Sequence, residues 1–310
     1  MALSLLEQSK LIQDPQKLFV VQELMESELM RLIPFKNIAG GGEFYNQEDE
    51  LPDVDFRAFN EGQDDSLGTL RPEAEQLRLF GGDVKVDSSQ IDLYGDQARA
   101  AQVEMKVRAM RMRFEDLFIN GNASAPNPRH FDGLAKRLNT GSSQAINNGG
   151  SGTGISLAAI DELLDAVESG GAEKLLVVSK YIRRQLSAAS RDPALAGNIN
   201  YRPDEFGKQV MFYGDARIIV TDVNNKNQPV QDFTEANDTT SIYALSFGDT
   251  LLSGIQGLAD GQYGLSVRDL GESHTAPVML TRIKWHLSFS IYRTRAAARL
   301  YNIEQGAAVA

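Results

Sequence analysis

Between Gly40 and Ser66 the chain carries nine carboxylates: Glu43, Glu48, Asp49, Glu50, Asp53, Asp55, Glu61, Asp64 and Asp65. Only Arg57 opposes them. This stretch of net charge −8 is opened by Gly40, Gly41 and Gly42 and holds too few apolar side chains for a core of its own. It therefore reads as a long two-stranded loop, about 37–76, carried by a body that folds elsewhere. A short strand around Val54, Phe56 and Phe59, partnered by Glu43 to Gln47, is the expected ladder.

The full 310 residues sum to −11, so the remaining 283 carry −3. The acidic balance argues against sequence-independent wrapping of nucleic acid, which needs basic surface to release counterions. The length suits one large or two small domains and lets about 75% of the extended-chain surface be buried. Hydrophobic residues at 42% and charged residues at 24% exclude bulk disorder. Cysteine is absent, which excludes disulfides, thiolate metal sites and a cysteine nucleophile. No apolar run approaches the roughly 18 residues of a membrane span. The start, Met1 to Glu7, lacks the basic region of a secretory signal.

Periodicity supplies the body. Asp14-Pro15 opens a helix predicted over 15–33, with Leu18, Val21, Met25, Leu29 and Leu32 on one face. Leu77 to Val86 alternates as a strand. A long helix follows from about Asp92 to Phe118, with Val103, Val107, Met110, Phe114 and Leu117 inward. Arg99, Lys106, Arg108, Arg111 and Arg113 against Glu104 give residues 97–113 a charge of +4. Asn120-Gly121 ends it, with the glycine suited to a left-handed cap. Further on come helices near 156–169 and 180–190, a doubly buried strand at 175–178, a hairpin turning at Gly214-Asp215, and a strand at 242–247. Ile283, Trp285, Leu287, Phe289 and Ile291 then alternate with polar residues as a long strand. From Ser273 to Ile303 there are five basic residues and no acid. There is no internal repeat and no heptad array.

Motifs for chemistry fail on inspection. The glycines at 149, 150, 152 and 154 lack the lysine and preceding strand of a phosphate loop. His130 and Asp132 have no companion histidine nearby. Asp64-Asp65 and Asp222-Val223-Asn224 do not continue as calcium loops. Glu48 and Glu50 read as a solvated face rather than an acid–base pair. The chain is read as no enzyme, with no catalytic residue, cofactor or metal.

The order of parts carries a resemblance. A helical arm and a glycine-flanked acidic loop come first. A long helix then ends in Phe118-Ile119-Asn120-Gly121, followed by Phe131-Asp132-Gly133-Leu134. A middle region contains Leu176-Val177-Val178-Ser179 and Tyr213 to Asp222, and a long strand closes the chain. Over nearly its whole length this resembles the major capsid proteins of tailed double-stranded DNA bacteriophages of the Hong Kong 97 type. The resemblance implies an α+β fold with an N-arm (1–36), an extended hairpin or E-loop (37–76), a peripheral domain with the spine helix (77–121 and 276–310) and an axial domain (122–275). It implies self-assembly into hexamers and pentamers, and an icosahedral shell around double-stranded DNA without sequence-specific binding or a membrane. It implies a virion capsid built in the host cytoplasm, with a scaffolding protein, a portal and a decoration protein as further partners. The founding member begins with a long scaffolding segment, whereas the arm here starts within a few residues of Met1, so a separate scaffolding protein or none is expected. Founding-type shells join this loop to a neighbour through a lysine, yet residues 37–84 contain none. A non-covalent shell is expected.

An acidic loop needs a basic partner, so Glu48, Asp49, Glu50, Asp53, Asp55, Asp64 and Asp65 are expected to lie over Arg99, Lys106, Arg108, Arg111, Arg282 and Lys284 of a neighbour. The alternatives are an encapsulin-type compartment shell and a soluble α+β enzyme.

Overall fold

The computed structural model describes residues 2–60, 62, 65–124, 127–149, 154–191, 199–203 and 207–309, without the side chains of 49 and 50. In chain order it opens with β1 (Leu3–Ser4), α1 (Leu5–Ser9), α2 (Pro15–Leu24), α3 (Glu28–Leu32) and β2 (Pro34–Asn37). The hairpin strands β3 (Gly42–Glu50) and β4 (Thr69–Gln76) follow, then β5 (Arg78–Asp87), α4 (Ser88–Tyr94) and the spine helix α5 (Gln97–Asn120).

Local chemistry sets these boundaries. Pro15 fills the first position of α2, and the Asp14 carboxylate accepts the Gln16 N–H at 3.0 Å. The single helix expected over 15–33 is two. Ser27 is extended (φ −74°, ψ 122°), and its hydroxyl accepts the Met30 N–H at 3.2 Å. A serine competes with the ladder in this way and restarts the helix. Gly95 (φ 75°) separates α4 from α5. At 24 residues α5 is about 36 Å long. It ends without the expected left-handed cap, because Gly121 has φ −57° and ψ 140°. Its glycine serves a close crossing instead. A Cβ there would stand 2.3 Å from the Leu117 oxygen and 2.5 Å from the Phe131 oxygen. Gly133 donates its N–H to the Gly121 oxygen at 2.8 Å.

The second half contains α6 (Leu134–Arg137), β6 (Ala145–Asn147), α7 (Leu157–Ala166), β7 (Lys174–Ser179), α8 (Lys180–Ala189), β8 (Ile199–Pro203), β9 (Gln209–Tyr213), β10 (Ala216–Thr221) and β11 (Thr240–Ser246). It continues with β12 (Leu252–Gln256), β13 (Leu258–Ala259), β14 (Gln262–Tyr263), β15 (Ser266–Glu272), β16 (Val278–Ile291) and, after a 3₁₀ turn, β17 (Ala297–Ile303).

Two sheets organise the body. In the first, β16 is central. It pairs with β5 along one edge and with β15 and β12 along the other, and β2 and β1 extend the sheet beyond β12. The inward side chains of β16, Ile283 to Ile291, are the alternating set read from the sequence. They pack under the spine helix: Trp285 lies 6.5 Å from Phe114, and Phe289 lies 4.8 Å from Phe118 and 5.6 Å from Phe131. The second sheet runs β6-β17-β11-β7-β10-β9-β8. Its strands divide their side chains between two cores. Leu175 and Val177 face the spine-helix core, while Leu176 and Val178 face α7 and α8. β12 and β15, from within 122–275, pair with β16, whereas β17, from within 276–310, pairs with β11.

Candidate assembly surfaces

Among the described residues the hairpin is anchored to the body through its ladder, along β3 as far as Glu48 and at Glu75 of β4. Lys36 pairs with Glu43 at 2.5 Å, and the Tyr292 hydroxyl donates to Glu43 at 2.7 Å. Arg137 pairs with Glu75 at 2.7 Å, and Ser288 donates to the same carboxylate at 2.8 Å. Glu48 pairs with Arg293 at 3.2 Å. Three acids of the hairpin thus fasten it to its own body. The ladder differs from the expected one: Gly42–Glu50 pairs with Thr69–Gln76, and 51–58 is not strand. Gly42 sits so close to the partner strand that a Cβ would meet the Glu75 oxygen at 2.6 Å.

From Leu51 to Pro72 everything described is exposed. Asp53, Asp55 and Asp65 face solvent, while Asp64 and the side chains of Asp49 and Glu50 lie outside the described residues. Interleaved with the acids are Phe44, Leu51, Val54, Phe56, Phe59 and Leu67, with Phe56 and Phe59 fully exposed. Val54, Phe56 and Phe59, expected from their pattern to form a strand, are instead a bare apolar surface. Their signal was large apolar residues in a segment without a core. Such a run of exposed apolar area marks a surface that meets another surface.

The basic set on α5 and β16 is largely matched within the chain. Arg99 pairs with Asp269 at 2.6 Å and donates to Thr281 at 2.7 Å. Arg108 pairs with Glu104 at 2.8 Å, one turn away. Arg111 pairs with Glu26 and donates to the Glu23 backbone oxygen at 3.1 Å. Arg282 grips Asp83 with two bonds, at 2.7 and 2.8 Å, and Lys284 pairs with Asp260 at 2.9 Å. Lys106 makes no ion pair among the described residues. The pairing also favours the ionised acids. The Arg282 hydrogen bond holds Asp83 below the usual carboxylate range, the Arg99 bond does the same for Asp269, and the Ser266 and Lys284 bonds bring Asp260 down to about 2.

Burial would raise the Asp132 carboxyl, but the Lys136 ammonium and the Ala123 N–H outweigh it and hold it low. Burial, aided by Arg113, pushes the His130 imidazole down. Asp222 pairs with Lys180. Gly154 touches the Ala307 backbone, where a Cβ would stand 2.1 Å from the oxygen, and residues 150–153 lie outside the described set. Among the described residues no three metal-ligating side chains gather, and no helix is long and apolar enough to cross a membrane.

A long helix crossing a long central strand, a second helix-bearing sheet and a projecting hairpin together define the Hong Kong 97-like capsid fold. Structures of that kind match over most of their length. The SrpI encapsulin of Synechococcus elongatus PCC 7942 is 20% identical with a TM-score of 0.62, covering 89% of this chain and 87% of that one. A chain of Mycobacterium phage Bobi is 12% identical with a TM-score of 0.57, covering 90% and 91%. A chain of Microbacterium phage Oxtober96 is 17% identical with a TM-score of 0.54, covering 87% and 89%. A comparison with curated proteins finds no match. Residues 19–242 match the SU10 major capsid protein model, so the chain belongs to that family and is a structural protein of a capsid shell.

Proposed function

We propose that copies of this chain close into hexamers and pentamers, and these into an icosahedral shell around the double-stranded DNA of a tailed bacteriophage. The observation that carries the mode of assembly is the hairpin, fastened through its ladder and baring Phe56 and Phe59 beyond it. The hairpin of one copy lies over the spine helix and long strand of the next. Its apolar side chains supply affinity, at about 1.5–3 kcal/mol for each phenylalanine fully covered. Its carboxylates, from Glu48 to Asp65, set the register against Lys106 and the field of Arg99, Arg108, Arg111, Arg282 and Lys284. Five of those six cations already hold carboxylates of their own chain. Each exposed pair contributes only about 0–1 kcal/mol. Charge is therefore the guide and apolar cover the glue.

In this reading residues 1–36 are the N-arm and 37–76 the E-loop. The peripheral unit is built on α5 and the β16 sheet, and the axial unit on the seven-stranded sheet. The shell forms in the host cytoplasm with a scaffolding protein, a portal and a decoration protein as partners. Without a lysine in 37–84 it is held non-covalently. The TM-score of 0.62 to an encapsulin favours one other reading, a shell around protein cargo. Particles isolated from the cells that make the protein decide between them. Nuclease-protected duplex DNA is the expected content; a stoichiometric cargo protein without DNA would overturn the DNA-container reading.

A further inference from the structure

The outer faces of α7 and α8 carry opposite charge, and the hairpin does not use either of them. Both helices cover the same face of the seven-stranded sheet. α7 lies over β17 and β6 at one end, while α8 lies over β7 and β10, toward the β8 end. On α7, Asp161, Glu162 and Asp165 are exposed. Among the described residues none of the three has an ion-pair partner, and Arg295 reaches only the Asp165 backbone oxygen, at 3.4 Å. On α8, Lys180, Arg183 and Arg184 are exposed. Lys180 holds Asp222, whereas Arg183 and Arg184 have no carboxylate partner among the described residues.

These placements work against the isolated helices. Asp161 and Asp165 are like charges one turn apart, as are Lys180 and Arg184, a spacing that destabilises a helix. Asp165 lies in the last turn of α7 and Lys180 in the first turn of α8, where each helix dipole disfavours that sign. An opposite charge brought in from outside relieves both conflicts, and the chain itself carries the complement.

We propose that the acidic face of α7 in one copy docks against the basic face of α8 in the next, forming a head-to-tail contact within each capsomer ring. The two faces are different patches on the same side of one sheet, so a contact that joins one to the other is heterologous and repeats around an axis until the ring closes. This inference rests on the shell reading above and names a contact within it.

Two charge-reversed chains test it: Asp161→Lys/Glu162→Lys/Asp165→Lys, and Arg183→Glu/Arg184→Glu. Assembly is followed by sedimentation, and folding by the thermal midpoint. Each variant alone is expected to raise the concentration for half-assembly about tenfold or more, because like charges then face each other. Mixed in equal amounts, the two variants are expected to assemble again. Their rings alternate and so contain an even number of copies, giving hexamers but no pentamers. Should a reversal unfold the chain, the neutral forms Asp161→Asn/Glu162→Gln/Asp165→Asn and Arg183→Gln/Arg184→Gln replace it, with a smaller shift expected. Variants that assemble like the wild type, or a mixture that does not recover, overturn this contact and leave the shell reading standing. A wild-type chain that never assembles overturns both.

Discussion

At Gly133 an added methyl group would stand 2.5 Å from the Gly121 nitrogen and 2.6 Å from the Ile119 oxygen. All the blocking atoms are backbone, so no side chain can swing away to make room. The two glycines let the end of the spine helix and the following loop cross in contact, and Phe131 beside them packs on Phe114 and Phe289. Gly133→Ala is therefore expected to destabilise the folded chain by about 1–3 kcal/mol in urea unfolding, as overpacking does. Gly41→Ala, with nothing within 4 Å of the added carbon, is expected to stay within about 0.5 kcal/mol. The sequence showed that Asn-Gly and Phe-Asp-Gly-Leu belong together but assigned Gly121 a left-handed φ. Spacing alone does not reveal that a glycine is needed for close approach rather than for its torsion.

Elements whose partners are built into their own periodicity were legible. Ile283 to Ile291 alternate because one face of β16 is core, and Val107, Met110 and Phe114 mark the inner face of α5 for the same reason. Elements defined by a distant partner were not. Nothing in residues 42–50 says that they pair with 69–76 rather than with 53–59, since both candidates are polar and short of core contacts. Residues 297–303 look like a continuation of the preceding strand until the chain turns at Thr294–Ala296 and enters the other sheet. The N-arm shows a third kind of contact, charge against a helix. Arg111 holds Glu26, Arg217 holds Glu28, and Ser27 bonds to Glu115 on the spine. Burial pushes the Glu115 carboxyl up, and the Ser27 bond and Arg111 only partly offset it. A folded value above the unfolded one means that the ionised form burdens the fold at neutral pH. That burden disappears as the pH falls through the raised value. Glu115→Gln is therefore expected to raise the calorimetric midpoint at pH 7, with an advantage that shrinks as the pH falls through the raised value and is gone below about pH 4. An equal advantage at both pH values would place its cause elsewhere than in the charge.

For the whole molecule, the division of charge is a division of labour. The body, at −3, carries two cores and most of its ion pairs internally. The hairpin region, at −8, spends two of its acids, Glu43 and Glu48, on its own anchorage, beside Glu75 of the returning strand, and leaves Asp53, Asp55 and Asp65 in water beside bare aromatic rings. The sequence pointed to acids reaching for a neighbour's cations. The structure adds that most of those cations are engaged and that apolar area is what the loop has to hide. An exposed loop with no core of its own gains nothing for the isolated fold from Phe56 and Phe59, so their removal tests assembly alone. Sedimentation of the purified wild type beside Phe56→Ser/Phe59→Ser is the most direct measurement. The account predicts megadalton particles for the wild type, and slower species with an unchanged melting midpoint for the variant. A wild-type chain that sediments only as a stable 34.0 kDa monomer, or a variant that assembles as fully as the wild type, would contradict it.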